Sequence, residues 1–424
     1  MVSIMTASVL DDLKMAEISL AKVADVNKMQ QEAKEVLNDF RTNLRVKEEV
    51  ENALTNLESK SDYQITVEHA KKVDNLISSN SDLVVTHSGD VVSGNESFGV
   101  NITPKEWRTV RAAALREMLG ETYKNIKRWA NQLADNFHRT WVELMTSTEV
   151  LEGRLEALDA NLGVVGRIRE GCTKVEINEL IARSISKNGR VLNGDLAKGL
   201  QGELNFIYSC IKLWEMDQIN FKNLTIRYFG NDKNQDITII ERNLPKLFIV
   251  RAKVDDDKGM LIARQSAPTL DGFSFQGITL DPKWVKENIK VPDDNTVYAD
   301  ALSQTGFSLV KQDIGHVGKT TVEVLPLSQI FVIRDIISNI IDRLKSMNSE
   351  NDPVNFNPDD VKDVLNTLRS GSAGQDRAYQ YGLITADYQF DVNSFKTQVS
   401  NMLTVQASHL ITMLNLHLEC YDVE

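Results

Sequence analysis

From Val9 to Leu57 the chain contains neither proline nor glycine, and apolar residues recur at Val23, Val26, Ala33, Val36, Phe40, Leu44, Val50, Leu54 and Leu57. Most of these steps are three or four residues, the spacing that lines up one face of an α-helix. This spacing predicts long amphipathic helix, as an ordinary helical domain packed on the rest of the chain would also show. Ser59, Ser61 and Asp62 interrupt the pattern, and Thr66 to Ile77 fits a second helix running back along the first. The same front piece is acidic. Residues 1–96 hold 10 Lys and Arg against 17 Asp and Glu, a net charge of -7 out of -12 for the whole chain.

The character changes between Ser78 and Gly99, where Ser, Gly and Asn crowd around a short strand candidate at Val84 to Val92. Such composition reads as a linker accessible to proteases. A helix then begins with clear punctuation: Thr103 as cap, Pro104 at the first helical position and Glu106 at the third. Its apolar face runs through Trp107, Val110, Ala114, Met118, Ile126, Trp129, Leu133, Phe137, Trp141 and Leu144. The other face carries Arg108, Arg111, Lys124, Lys127 and Arg128, and Thr103 to Met145 has a net charge of +3. A basic helix face is either solvated or turned to an anionic partner such as nucleic acid.

Beyond Phe221 the period shortens. Runs rich in Val, Ile, Thr, Phe and Tyr fall at Leu224–Phe229, Ile237–Glu241, Leu247–Val254, Met260–Arg264, Phe273–Leu280, Phe307–Val310 and Thr320–Leu325. Turn signals such as Asp271-Gly272 separate them, which predicts antiparallel strands. Helical spacing returns at Leu327–Met347, Pro358–Ser370 and Asn393–Glu419. The expected fold class is therefore α+β, with long N-terminal helices, a central antiparallel β-rich domain and C-terminal helices. The expected divisions are residues 1–96, 97–220, 221–326 and 327–424.

Several function classes find no support in the residues. The stretch Asp313 to Thr320 ends like a phosphate-binding loop, but Asp313 stands where that loop needs its first glycine. The run Asp255-Asp256-Asp257 lacks the alternating spacing of a calcium loop. Cys172, Cys210 and Cys420 are odd in number and far apart, so neither a disulfide framework nor a zinc site is expected, and a reducing compartment fits best. No hydrophobic run reaches membrane-spanning length, and no signal peptide is read at the N-terminus. No cofactor, no metal and no catalytic constellation is expected. The net charge of -12 argues against general DNA coating.

The acidic helical front, the linker ending Gly94-Asn95-Glu96-Ser97-Phe98, the Trp107 to Trp141 helix and the segment Leu151 to Leu158 together resemble the internal head, or inner-body, proteins of giant tailed bacteriophages. The resemblance covers residues 1 to about 215. It implies a virion structural protein made as a precursor, packaged in the prohead, and cleaved by a prohead protease after a small residue, any residue, then Glu. Gly94-Asn95-Glu96 fits that rule with Ser97 as the new first residue. Ala33-Lys34-Glu35 and Ser147-Thr148-Glu149 fit it as well, but both lie in predicted helices where a protease could not easily bind an extended strand. The implied partners are scaffold proteins and the prohead protease, with packaged DNA nearby and at most weakly bound. The implied location is the capsid interior, with the host cytoplasm before assembly or after ejection. The same residues also fit a different class, a non-virion adaptor that oligomerises through permanently attached N-terminal helices.

Overall fold

The computed structural model describes residues 42–43, 45–59, 67–79, 104–192, 194–230, 240, 242–254, 256, 258–289, 295–313, 315, 317–347, 352–354 and 374–423. They divide into two compact units, one within residues 31–137 and one within residues 138–424. The strand candidate at residues 84–92 and the helix expected at residues 358–370 lie outside the described residues.

The first unit is helical. Residues 45–59 form α1, Val67–Ser79 form α2, and α3 is a 59-residue helix, Pro104–Leu162, whose N-terminal part belongs here. It starts at Pro104, as the punctuation predicts; Thr103 lies outside the described residues. Val46, Val50 and Leu57 of α1 close a small core with Val73 and Ile77 of α2 and with Leu115 and Met118 of α3. These residues sit at the helical steps that place them on one stripe of each helix. Leu115 and Met118 are fully buried by this packing.

The second unit mixes helices and small antiparallel sheets, so the α+β class holds. After α3 come β1 (Val165–Ile168), β2 (Lys174–Ile177), α4 (Glu179–Ser184), the short hairpin β3 (Ser186–Lys187) and β4 (Arg190–Val191), and α5 (Leu196–Gly230). Then follow β5 (Val250–Ala252), β6 (Leu261–Gln265), β7 (Phe273–Leu280), α6 (Pro282–Asn288), α7 (Asn295–Leu302), β8 (Gly306–Lys311) and β9 (Thr320–Glu323). The last described elements are α8 (Leu327–Met347), the 45-residue α9 (Gly374–Leu418) and β10 (Tyr421–Val423). Strands β5 to β8 form one four-stranded antiparallel sheet in sequence order, while β2 pairs with β9 and β1 with β10.

The hub is α9. Tyr381, Tyr388, Val392, Phe395, Val399, Leu403, Ala407, Leu410 and Leu414 are all fully buried along it. A helix buried this widely must dispose of its polar groups internally. Thr385 and Thr397 return their hydroxyls to the carbonyls of Tyr381 (2.7 Å) and Asn393 (2.8 Å), and Gln406 donates to the carbonyl of Ser184 at 2.8 Å. Helix α8 buries Ile330, Ile333, Ile336, Ile337, Ile340, Ile341 and Leu344, at helical spacing that fixes one face to the core. A single hydrophobic cluster from Leu151 to Tyr421 contains residues of the sheet and of the helices alike.

Two expectations are corrected here. Leu224–Phe229 is not a strand but the end of α5. Its residues are strand-like by type, yet Phe221, Thr225, Tyr228 and Phe229 are buried at steps of four, three and one, a helical stripe that packing selects over local preference. The Thr225 hydroxyl also bonds back to the carbonyl of Phe221 at 2.9 Å. The cysteines are likewise not all free. Cys172 and Cys420, 248 residues apart, form a disulfide across a Cα–Cα distance of 5.6 Å, leaving Cys210 as the buried free thiol. Pairing of β1 with β10 carries the end of the chain to the loop after β1, a juxtaposition that sequence spacing does not reveal.

Candidate functional site

The candidate processing residues Gly94, Asn95, Glu96 and Ser97 lie outside the described residues, between the end of α2 at Ser79 and the start of α3 at Pro104. Of the candidate anion-facing residues, Arg111 turns inward: its side chain is 10% exposed and pairs with Asp74 of α2 at 2.7 Å. The guanidinium also lies 5.9 Å from the Trp107 ring centre, within cation–π range. Burial raises the Asp74 carboxyl above its ordinary range despite the opposing pull of Arg111. Arg108 is half-buried, and Lys124 is exposed but bound to Glu121 at 2.6 Å. The side chains of Lys127 and Arg128 lie outside the described residues. Arg116 reaches Glu58 of α1, so α1 and α2 are each tied to α3 by charge as well as by the apolar core.

The second unit contains a charged seam that no sequence motif marks. Arg242 is almost fully buried and holds Asp391 of α9 at 3.0 Å. Its guanidinium lies over the Phe221 ring at 4.5 Å and near the Tyr388 ring at 5.7 Å. The Tyr388 hydroxyl stands 2.8 Å from the carbonyl of Val354 and 3.0 Å from that of Gln218, which share its one proton. Lys396 and Asp352, both under a tenth exposed, pair at 2.7 Å. Burial lowers the Lys396 ammonium, against the attraction of Asp352. Asp217 completes the seam: burial raises its carboxyl to about 6, with Arg242 and the backbone of Asn243 pulling the other way. Gly306 of β8 is required where α9 passes, because a Cβ there would stand 2.7 Å from the Asp391 carboxyl carbon.

Chemically this seam is an anchor. Its cations are paired with carboxylates, and it joins α5, the residues near Val354 and α9. Beside it a cleft of about 270 Å³ opens on the face of the four-stranded sheet, floored by Ile262, Arg264 and Thr279 and walled by Arg242, Asn243 and Tyr298. Among the described residues no group of three or more His, Cys, Asp or Glu side chains could hold a metal ion. No described helix is long and apolar enough to cross a membrane. Sequence reading misses the seam because its members are ordinary charges separated by long stretches; Asp391 and Lys396 stand among other charges of the same helix, such as Asp376, Arg377 and Asp387, and nothing local sets them apart.

Residues 19–212, just under half of the chain, match the family model of the phiKZ-like phage internal head proteins. The match takes in α1 to α4 and the first half of α5, while residues 213–424 lie beyond it. No curated protein and no solved structure matches the chain.

Proposed function

We propose that the chain is made as a precursor, packaged in the prohead, and cut after Glu96, and that the product starting at Ser97 stays in the capsid interior until it leaves with the DNA. The observation that carries this reading is the position of Gly94-Asn95-Glu96. It falls between two helices, at the step where an acidic front of net charge -7 gives way to the rest of the chain. An acidic helical front suits an empty shell and opposes incoming DNA; its removal reduces that repulsion. The front also acts as a cover. While α1 and α2 are in place Leu115 and Met118 are sealed, and their release bares an apolar stripe on α3 for a new neighbour.

The role is structural, not catalytic. The test is mass spectrometry of purified particles treated with external protease before opening. Peptides from residues 104–424 that survive the treatment support an interior location, and their absence from particles refutes it.

One observation favours the alternative adaptor reading: the buried Arg111–Asp74 pair and the shared core bind α1 and α2 to α3. In that reading the front is permanent, and deleting residues 1–96 turns an oligomer into monomers by light scattering.

A further inference from the structure

We infer that the cleft between the four-stranded sheet, α6 and α7 binds a small organic acid, an aryl or alkyl monocarboxylate. Arg264 holds the carboxylate, and the apolar part lies on Ile262, Val285 and Leu302. The registers build the cleft. Ile262 faces Thr279 and Arg264 faces Gly277 across the β6–β7 ladder, so all four share one face of the sheet. Farther along, the same face carries Phe275 and Phe307 into the core. Gly277 has no side chain, and Leu244 takes that space: a Cβ there would stand 2.6 Å from Leu244 Cδ2. The Thr279 hydroxyl donates to the Arg242 carbonyl at 2.6 Å, which holds residues 242–244 down on the sheet as a wall. Val285 of α6 and Leu302 of α7 line the other side. The cleft is thus shaped by contacts of the fold itself, as small-molecule sites usually are.

Two cations line it with donors to spare. Arg264 is exposed and has no carboxylate or other partner among the described residues. Arg242 is 2% exposed at its side chain, and its Nη1 holds Asp391 at 3.0 Å, yet its Nε–H has no acceptor. A buried donor left without an acceptor destabilises the fold until something external supplies one. Asp391 balances the charge of Arg242, so Arg264 selects for an anion and Arg242 adds a donor. Arg251 stands opposite Arg264 in the β5–β6 ladder and is likewise unpaired among the described residues, which doubles the positive charge beside the cleft. None of the residues lining it is acidic. Size and lining then set the ligand class. At about 270 Å³ the cleft is smaller than the roughly 300–1,000 Å³ of drug-sized sites, so its occupant is small. One guanidinium fork matches the two oxygens of one carboxylate, whereas the aliphatic walls offer nothing to the further oxygens of a phosphate. This inference is independent of packaging and of cleavage after Glu96.

The test is fluorine NMR line broadening of para-fluorobenzoate and of fluorohexanoate titrated with the full-length chain. The proteins compared are the parent, R264Q, V285F, which fills the cleft without changing its charge, and R167Q, which removes an exposed arginine of β1. The expected result is saturable binding of at least one of the two acids by the parent. That binding should be at least tenfold weaker for R264Q, lost for V285F and unchanged for R167Q. Para-fluorobenzamide, the neutral counterpart, should bind at least tenfold more weakly than para-fluorobenzoate. Thermal midpoints report folding, and R264Q, which alters an exposed side chain, carries the test if V285F does not fold. Absence of saturable binding by both acids, equal binding of the amide, or unchanged binding by R264Q overturns the inference. So does inorganic phosphate competing as well as the acids do, which would mark Arg264 as a contact for any anion.

Discussion

Replacing Asp217 by Asn tests whether the charged seam carries the pH dependence of the second unit. The carboxyl is raised from 3.8 to about 6 because burial penalises its charge more than Arg242 and the Asn243 backbone relieve it. Two pKa units correspond to about 3 kcal/mol. The sign follows from proton counting. Between pH 4 and pH 6 the unfolded carboxyl has lost its proton while the folded one keeps it, so stability falls as pH rises, and the full penalty is present above pH 6. The replacing amide has no such titration. Its own cost, that of a polar group placed where one carboxylate oxygen lacks a hydrogen-bond partner, does not change with pH. The stability of Asp217→Asn minus that of the parent, from urea melts, should therefore become more favourable by about 3 kcal/mol between roughly pH 4 and pH 7.5. A difference independent of pH, or one running the other way, refutes the assignment.

His417 acts in the opposite sense. Burial depresses its imidazole to about 4, and its Nδ1 accepts the Leu325 N–H at 3.2 Å, so it favours folding above its unfolded pKa and that contribution is lost as pH falls through 4. His417→Gln should flatten this acid limb in the same melts. Gly306→Ala should cost about 3 kcal/mol or more by driving Asp391 away from Arg242 and leaving a buried guanidinium uncompensated, as read by urea midpoint. Cys172→Ser, or reduction with dithiothreitol, should lower stability by about 2–5 kcal/mol because the bond closes a very long loop of the unfolded chain. Equal melts with and without reductant would show that the bond is not formed in solution.

Helical period is the most readable signal in this sequence. The isoleucine stripe of α8 defines Leu327–Met347 end to end, and the run Phe273–Leu280 marks β7, because each element is decided by its own pattern against the core. Residues 224–229 mislead for the converse reason: Thr, Ile, Tyr and Phe favour strands in isolation, while the partners that hold this end of α5 helical, Tyr381 and Tyr388, lie far along the chain. Arg111 shows the same limit at the candidate site. Its place on a basic face is legible, but its turn towards Asp74 requires the packing of α2 on α3. Nothing local pairs Arg242 with Asp391 or Cys172 with Cys420; only the fold brings them together.

The proposed cleavage after Glu96 fixes the first residue of the particle-borne chain. Isolating the protein from DNA-filled particles and sequencing its N-terminus is the most direct measurement. A chain starting at Ser97, alongside full-length protein in infected-cell extracts, is the expected result. A particle-borne chain that still starts at Met1 would contradict the precursor reading and leave the acidic helices as a permanent part of the protein.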